Sequence, residues 1–262
     1  MNPTAVAALV SFTAHRVFTG KRFLALGLLL MIPPCLAGAL AMAARVVPGV
    51  PFFDGITFAL SLYLVLILSA MIYGIGLTSS EIEDGTVGYV FLAACPRWLV
   101  ALVHVVVTGA LLTVLTTASI AATYGLSSIS PAGLGEHGPS VIAADALIAW
   151  IGLTTYLAWF VLCGYAFKHN VAASIASVVV WEWIVPMIPN RLGAFTVIVN
   201  LRVIWLHLVQ SGDPGRWFRA QVGYDLPTYG DASMFLSVAL ALFLALGMVA
   251  AMNRSIAGRE AG

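Results

Sequence analysis

The sequence predicts an all-α, polytopic membrane protein, and three observations carry that prediction. Hydrophobic residues make up 61% of the 262 residues and charged residues only 9%, against about 45–50% and about 25% in a soluble domain. The mean hydropathy is +1.01. The apolar residues are also gathered into runs of about 20, the length that crosses a bilayer as a helix. So few charges cannot cover the surface of a soluble enzyme of this size. The same composition excludes disorder, which needs low hydrophobicity, and collagen, which needs a Gly-X-Y period. It also excludes nucleic-acid binding, which needs a basic field: 12 Lys+Arg stand against 11 Asp+Glu, a net +1.

Taken in order, residues 1–22 form a leader with an amphipathic helix over 4–18. Val6, Leu9, Val10, Phe12, Val17 and Phe18 alternate with Ser11, Thr13, His15 and Arg16, and Thr4 is placed to cap the start. Six spans then fill 23–252: Phe23–Ala44, Ile56–Thr78, Trp98–Tyr124, Val141–Phe167, Val171 to about Ile188, and Ala232–Met252. Pro33-Pro34 in the first span removes backbone donors and is expected to kink or break it. Ala41-Met42-Ala43 mimics a signal-peptide cleavage site. The run is about twice an h-region in length, however, and 22 residues precede it, so an uncleaved first span is expected. Ser127–Ser140 is a Gly/Pro/Ser loop. The longer segment 189–231 carries an apolar stretch, Phe195–Val209, and the aromatics Trp205, Trp217 and Phe218. It is expected to form short helices at the membrane interface. Asn200, Arg202 and His207 argue against a seventh span there.

Lys/Arg asymmetry sets the orientation. With the N-terminus inside, Arg16, Lys21, Arg22, Arg97, Lys168, Arg254 and Arg259 are cytoplasmic, and the short outer loops hold only Arg45. Arg191, Arg202, Arg216 and Arg219 fall in the long outer segment, whose length weakens their weight. Both termini, including the tail 253–262, are therefore expected on the cytoplasmic side of the cell membrane. Cys35, Cys95 and Cys163 form no CxxC pair or Cys/His cluster and read as small buried hydrophobes.

The most informative segment, 79–97, lies between spans two and three: Ser79-Ser80-Glu81-Ile82-Glu83-Asp84-Gly85-Thr86, a hydrophobic stretch, then Pro96-Arg97. Ser80 and Glu83 fit a capping box, and the acids Glu81, Glu83 and Asp84 suit a helix start. Val87, Val90, Phe91 and Ala94 share a helical face. The spacing predicts a short amphipathic helix on the cytoplasmic face, though spacing alone equally describes a loop with solvated acids. Glu81, Gly85, Thr86, Pro96 and Arg97 match a pattern E-x-x-x-G-T, hydrophobic stretch, Pro, basic. That pattern resembles the element after the second span in permease subunits of ABC transporters of the ABC-2 (type V exporter) group. The layout is similar too: amphipathic leader, six spans, and a long outer segment between spans five and six. Three departures stand out: the stretch between Thr86 and Pro96 is longer than usual, Arg97 follows Pro96 at once, and the basic residue often found early in span three is absent, with His104 the nearest candidate.

The resemblance implies a coupling helix seated in a groove of a cytoplasmic ATPase subunit. Glu81 contacts the ATPase or braces the elbow of span two, Gly85 permits the turn and Thr86 supports it. It further implies a pathway formed with a second copy or a paralogue, two ATPase subunits below, and export of a hydrophobic or amphipathic substrate. No G-x-x-x-x-G-K-[ST] occurs in this chain, so ATP and Mg are expected on the partner, and the chain itself is expected not to be an enzyme.

Within the spans, Glu182 in Trp181-Glu182-Trp183 is the outstanding residue. A carboxylate at membrane depth has to face protein or water, which makes it a candidate for the translocation path. The flanking tryptophans equally fit a structural hydrogen bond near the outer interface. Asp145, near the outer end of span four, is expected to snorkel or cap. His15, His104, His137, His169 and His207 are scattered, and no HExxH spacing appears. A stand-alone secondary transporter or membrane scaffold is the alternative. An intramembrane enzyme fits less well, because no G-x-S-x-G or acid-rich metal motif is present.

Overall fold

A computed structural model describes residues 3–19, 21–43, 60–61, 64–83, 96–128, 139–167, 169–188, 191–209 and 227–260. Every regular element among these residues is helical. In chain order they are α1 (Pro3–Phe18), α2 (Lys21–Ala43), α3 (Leu66–Glu83), α4 (Arg97–Ser127), α5 (Pro139–Ala166), α6 (Asn170–Ser177), α7 (Val197–Val209) and α8 (Tyr229–Glu260). Four stretches are long and apolar enough to cross a membrane: Lys21–Ala39, Trp98–Ser127, Val141–Ala166 and Tyr229–Asn253. Shorter apolar helices lie at Thr4–Phe18, Leu66–Gly76, Asn170–Ile184 and Val197–Leu208.

The bundle is organised around α5. Its most apolar window is 61% buried, against 28% for α2 and 22% for α8, which places α5 at the centre and the other two at the periphery. Contacts fix the helix directions. Gly109 of α4 faces Thr154 and Leu157, and Tyr124 reaches Asp145, so α4 runs antiparallel to α5. Leu30 meets Ser119 and Gly38 meets Leu126, so α2 runs parallel to α4. Gly152 meets Leu66, Gly74 meets Phe160 and Gly164 meets Thr78, so α3 runs parallel to α5, as does α8, whose Gly247 sits at Leu162.

Pro33 and Pro34 do not break α2, which continues from Lys21 to Ala43. Pro34 has no N–H to give the carbonyl of Leu30 four residues back. Ser119 Oγ of α4 donates to that carbonyl instead, at 2.5 Å. Ser119→Ala is therefore expected to destabilise the protein by about 1 kcal/mol. The loss should shrink when Pro34→Ala restores the backbone donor. Equal losses in both backgrounds, read by thermal unfolding in detergent, would show that the hydroxyl has another role.

Three expectations at helix ends are corrected. Helix α1 starts at Pro3, whose missing N–H suits a first helical position, so Thr4 lies inside the first turn. Its buried stripe Leu9, Thr13, Val17 turns inward, with Leu9 packed on Leu99, Val100 and Val103 of α4. Ser80 and Glu83 close α3 rather than open a new helix. Once a helix is nucleated, extending it is favoured over starting another, and the apolar run from Leu66 carries it through these residues. Residues 81 and 83 therefore belong to the last turn of α3 and not to a helix start. The reciprocal cap occurs at α8 instead: Asp231 N–H donates to Thr228 Oγ1 at 3.2 Å and Thr228 Oγ1 donates to Asp231 Oδ2 at 2.7 Å.

The fifth expected span is the largest revision. The α-helix ends at Ser177, a π-helical turn runs over Val178–Ile184, and 3-10 turns follow at Val185–Met187 and Arg191–Phe195 before α7. Pro186 denies this stretch a backbone donor. Partners then step back along α5: Ser174 beside Cys163, Glu182 on Tyr156, Trp205 on Asp145. Thus α6 and α7 run in one direction, end to end, antiparallel to α5, with an interruption level with Tyr156. Helix α7 is packed within the bundle. Val197, Ile198, Val199 and Leu201 are at most 2% exposed.

Candidate functional site

The interruption is built around Glu182. The π turn aims this carboxyl inward, where it is 0% exposed, while Trp181 and Trp183 on either side are each 38% exposed. Such widened turns are frequent at functional sites. Both carboxylate oxygens are engaged. Tyr156 Oη of α5 donates to Oε2 at 2.9 Å. The Ile198 amide donates to Oε2 at 2.9 Å and the Val197 amide to Oε1 at 3.1 Å.

Those amides are the first two of α7, which have no partner within their own helix. The usual acceptor is the side chain of the preceding residue, but Thr196 Oγ1 is turned to Gly193 O at 2.8 Å. Glu182, from the previous helix, takes its place and sets negative charge density against the positive end of the macrodipole. Further bonds hold the described part of the connection. Asn200 Nδ2 donates to Ala194 O and Thr196 O, each at 2.7 Å, and Trp181 Nε1 donates to Phe195 O at 3.1 Å.

A second carboxylate holds the other part of α7. Asp145 of α5 is 0% exposed, accepts from Tyr124 Oη at 2.9 Å and accepts from Trp205 Nε1. The expected snorkelling or capping role is corrected, because the side chain points between helices. Trp205, expected at the interface, is likewise buried at 5% exposure. Two acids on or against α5 therefore clamp α7 near its start and one or two turns before its end. Tyr124 and Tyr156 were not singled out from the sequence, and Trp205 was read only as an interfacial aromatic. Their common signal is a polar tip inside an apolar run, which has to find a partner when buried.

A third cluster ties α3 to the start of the chain. Arg22 Nη1 donates to Gly76 O at 2.7 Å, and Tyr73 Oη donates to Val17 O at 2.9 Å. The elbow between α1 and α2 is thereby fastened to α3, two turns before Glu81.

Of the expected coupling residues, Glu81 and Glu83 lie in the last turn of α3. Pro96 precedes α4 in an extended conformation, with φ −66 and ψ 143, and Arg97 opens that helix. Asp84, Gly85 and Thr86, with the stretch to Cys95, lie outside the described residues. Cys163 is buried, but Cys35 is exposed on α2, so only the first fits the expectation of a buried hydrophobe. Among the described residues no three His, Cys, Asp or Glu side chains are grouped to hold a metal.

No protein-family model, curated protein or solved structure matches this chain.

Proposed function

We propose that this chain is the membrane-spanning permease subunit of an ABC exporter of the ABC-2 (type V) group. It works in the cell membrane as a dimer, or with a paralogue, and is driven by separate cytoplasmic ATPase subunits that carry ATP and Mg. In this reading α2, α3, α4, α5, the interrupted α6–α7 pair and α8 make six crossings, with both termini cytoplasmic. The substrate is hydrophobic or amphipathic, in keeping with the scarcity of charge in the bundle.

The observation that supports it best is the setting of α3. This helix ends in the Glu81 segment that leads to Gly85-Thr86. It is pressed against α5, where a Cβ at Gly164 would fall 1.9 Å from Thr78 Oγ1, and is bonded to Arg22 and Tyr73's partner Val17 near its end. A displacement at Glu81 therefore passes to both the central helix and the α1–α2 elbow. Interfaces packed this closely transmit motion as a unit rather than absorbing it. Glu182 and Asp145 hold the outer half of the interrupted crossing in place.

The test is purification of the tagged chain from its native membrane in mild detergent, with mass spectrometry of what accompanies it. A stoichiometric P-loop subunit is expected. Glu81→Ala and Gly85→Val should each weaken ATPase association roughly tenfold, equivalent to about 1.4 kcal/mol, while membrane insertion is unchanged. Association and transport at wild-type levels in both variants refute the assignment.

A second reading, a stand-alone secondary transporter, is favoured by the interruption itself, since broken helices with a polar group at the break frame binding sites in such proteins. A single-chain preparation that transports without ATP would establish it.

A further inference from the structure

Beside the interruption lies an apolar slot of about 400 Å³. Its walls are Trp159 of α5, Trp181 of the π turn, Phe195 of the 3-10 turn, and Phe235, Ala239 and Phe243 of α8. The cause of the gap is legible in α8. Phe235, Ala239 and Phe243 follow at four-residue intervals on one face. Phe235 leans on Phe195 with ring centroids 6.3 Å apart, and Phe243 on Trp159 at 5.0 Å. Two aromatic pairs hold the walls apart, and the small side chain of Ala239 between them leaves the floor open.

We propose that this slot seats one acyl chain of a bilayer phospholipid. The proposal rests on the membrane-spanning reading of the chain and not on the ATPase partner. Three features select the occupant. The first is chemistry. Every lining side chain is apolar or aromatic, and the indole N–H of Trp181 is already committed to Phe195 O. A polar ligand would lose its water with nothing to replace it, and water itself lacks the polar partners it needs in a cavity. The second is direction. From Phe235 to Phe243 the slot extends about 12 Å along α8, a helix long enough to cross a bilayer, so it lies along the direction of lipid tails. The third is access. Val238 and Leu242 at its rim are 60% and 52% exposed, and α8 is the least buried of the four long helices, so the slot opens where the bilayer is. Left empty, its walls would forfeit their dispersion contacts.

The consequence is that a lipid tail touches both sides of the interruption, through Trp181 before it and Phe195 after it. The test uses the full chain in vesicles of phosphatidylethanolamine and phosphatidylglycerol, doped with a phosphatidylethanolamine carrying a diazirine in its acyl chain. After irradiation, adducts are mapped by peptide mass spectrometry. They are expected on Trp159, Phe195 and 235–243, several-fold above Met234, Leu246 and Val249, which are exposed on the same helix. Ala239→Trp, which fills the floor, should remove this enrichment, whereas Ala245→Trp on an exposed face should not.

Even labelling along α8, unaltered by Ala239→Trp, overturns the proposal. So does an efficient disulfide between two copies carrying Val238→Cys, which would show that a second copy covers the slot. Labelling of Leu24, Leu28 and Met31, exposed on α2, reports bilayer contact separately. Its absence would refute the membrane reading itself, whereas its presence without slot adducts refutes only the lipid seat. The wild-type adduct map stands even if the tryptophan variant fails to fold.

Discussion

Replacing Glu182 with alanine is expected to destabilise the protein by about 2–4 kcal/mol. The side chain accepts from Tyr156 Oη and from the amides of Val197 and Ile198, and alanine leaves all three donors buried without an acceptor. Hydrogen bonds to charged groups in soluble proteins are each worth about 1.5–3 kcal/mol. Bonds between membrane helices average nearer 0.6 kcal/mol, with about 1.7 as an upper value, because the unfolded reference in the membrane finds partners too. The lower scale governs here, and three bonds, two of which are the cap of α7, give the stated range. Glu182→Gln separates the contributions. Its single carbonyl can replace Oε2 and keep Tyr156 and Ile198, but its amide then faces the Val197 N–H, donor against donor. Its loss should be about half that of alanine. The readout is thermal unfolding in detergent, followed through the flanking indoles of Trp181 and Trp183. Alanine with wild-type stability would mean that α7 needs no cap from the preceding helix.

This pair of variants also marks the boundary of what the sequence discloses. An acid between two tryptophans in an apolar run is visible in one dimension, because its burial demands a partner. The partners are not visible: Tyr156 is 26 positions away, and the amides belong to a helix whose Asn200, Arg202 and His207 suggested an interfacial segment. Asn200 turns out to bond the backbone of the interruption itself. Asp145 was misread for a related reason. Its place near a span end suggested exposure, whereas Trp205, 60 positions on, draws it inward. Pro34 of α2 shows the same limit, since the serine that relieves it is 89 positions from the freed carbonyl.

Long helices were legible because length and hydropathy are local sums. The four long apolar helices coincide with the first, third, fourth and sixth expected runs. The interruption between α6 and α7 was not, because the run Val171–Ile188 is apolar whether it winds as α, π or 3-10. The π turn follows from what Glu182 meets, not from the run itself.

Gly164→Ala is expected to cost at least about 3 kcal/mol, at or beyond the upper end of core overpacking. The new Cβ would lie 1.9 Å from Thr78 Oγ1, 2.8 Å from Thr78 Cβ and 3.2 Å from its Cγ2. Rotation of Thr78 offers little relief. Its hydroxyl already donates to Ile75 O at 2.9 Å and Gly74 O at 3.3 Å, and its Cβ stays where the backbone puts it. Helices α3 and α5 must therefore move apart, and they are joined at two further close approaches, where a Cβ at Gly74 would lie 2.6 Å from Phe160 Cβ and one at Gly152 2.9 Å from Leu66 Cδ1. Small residues at such crossings are what let membrane helices pack through backbone proximity. Thr78→Ala in the Gly164→Ala background should recover part of the loss, since it removes the 1.9 Å and 3.2 Å overlaps but not the one at Cβ. Gly27→Ala supplies the contrast: nothing lies within 4 Å of its Cβ position in α2, so the change should stabilise by about 0.5–1 kcal/mol through helix propensity alone. Thermal unfolding of the three variants separates packing from propensity. Under the permease reading Gly164→Ala carries a second signature. With α3 separated from α5, ATP hydrolysis by the associated ATPase should persist while transport falls, because the force applied at Glu81 no longer reaches the central helix.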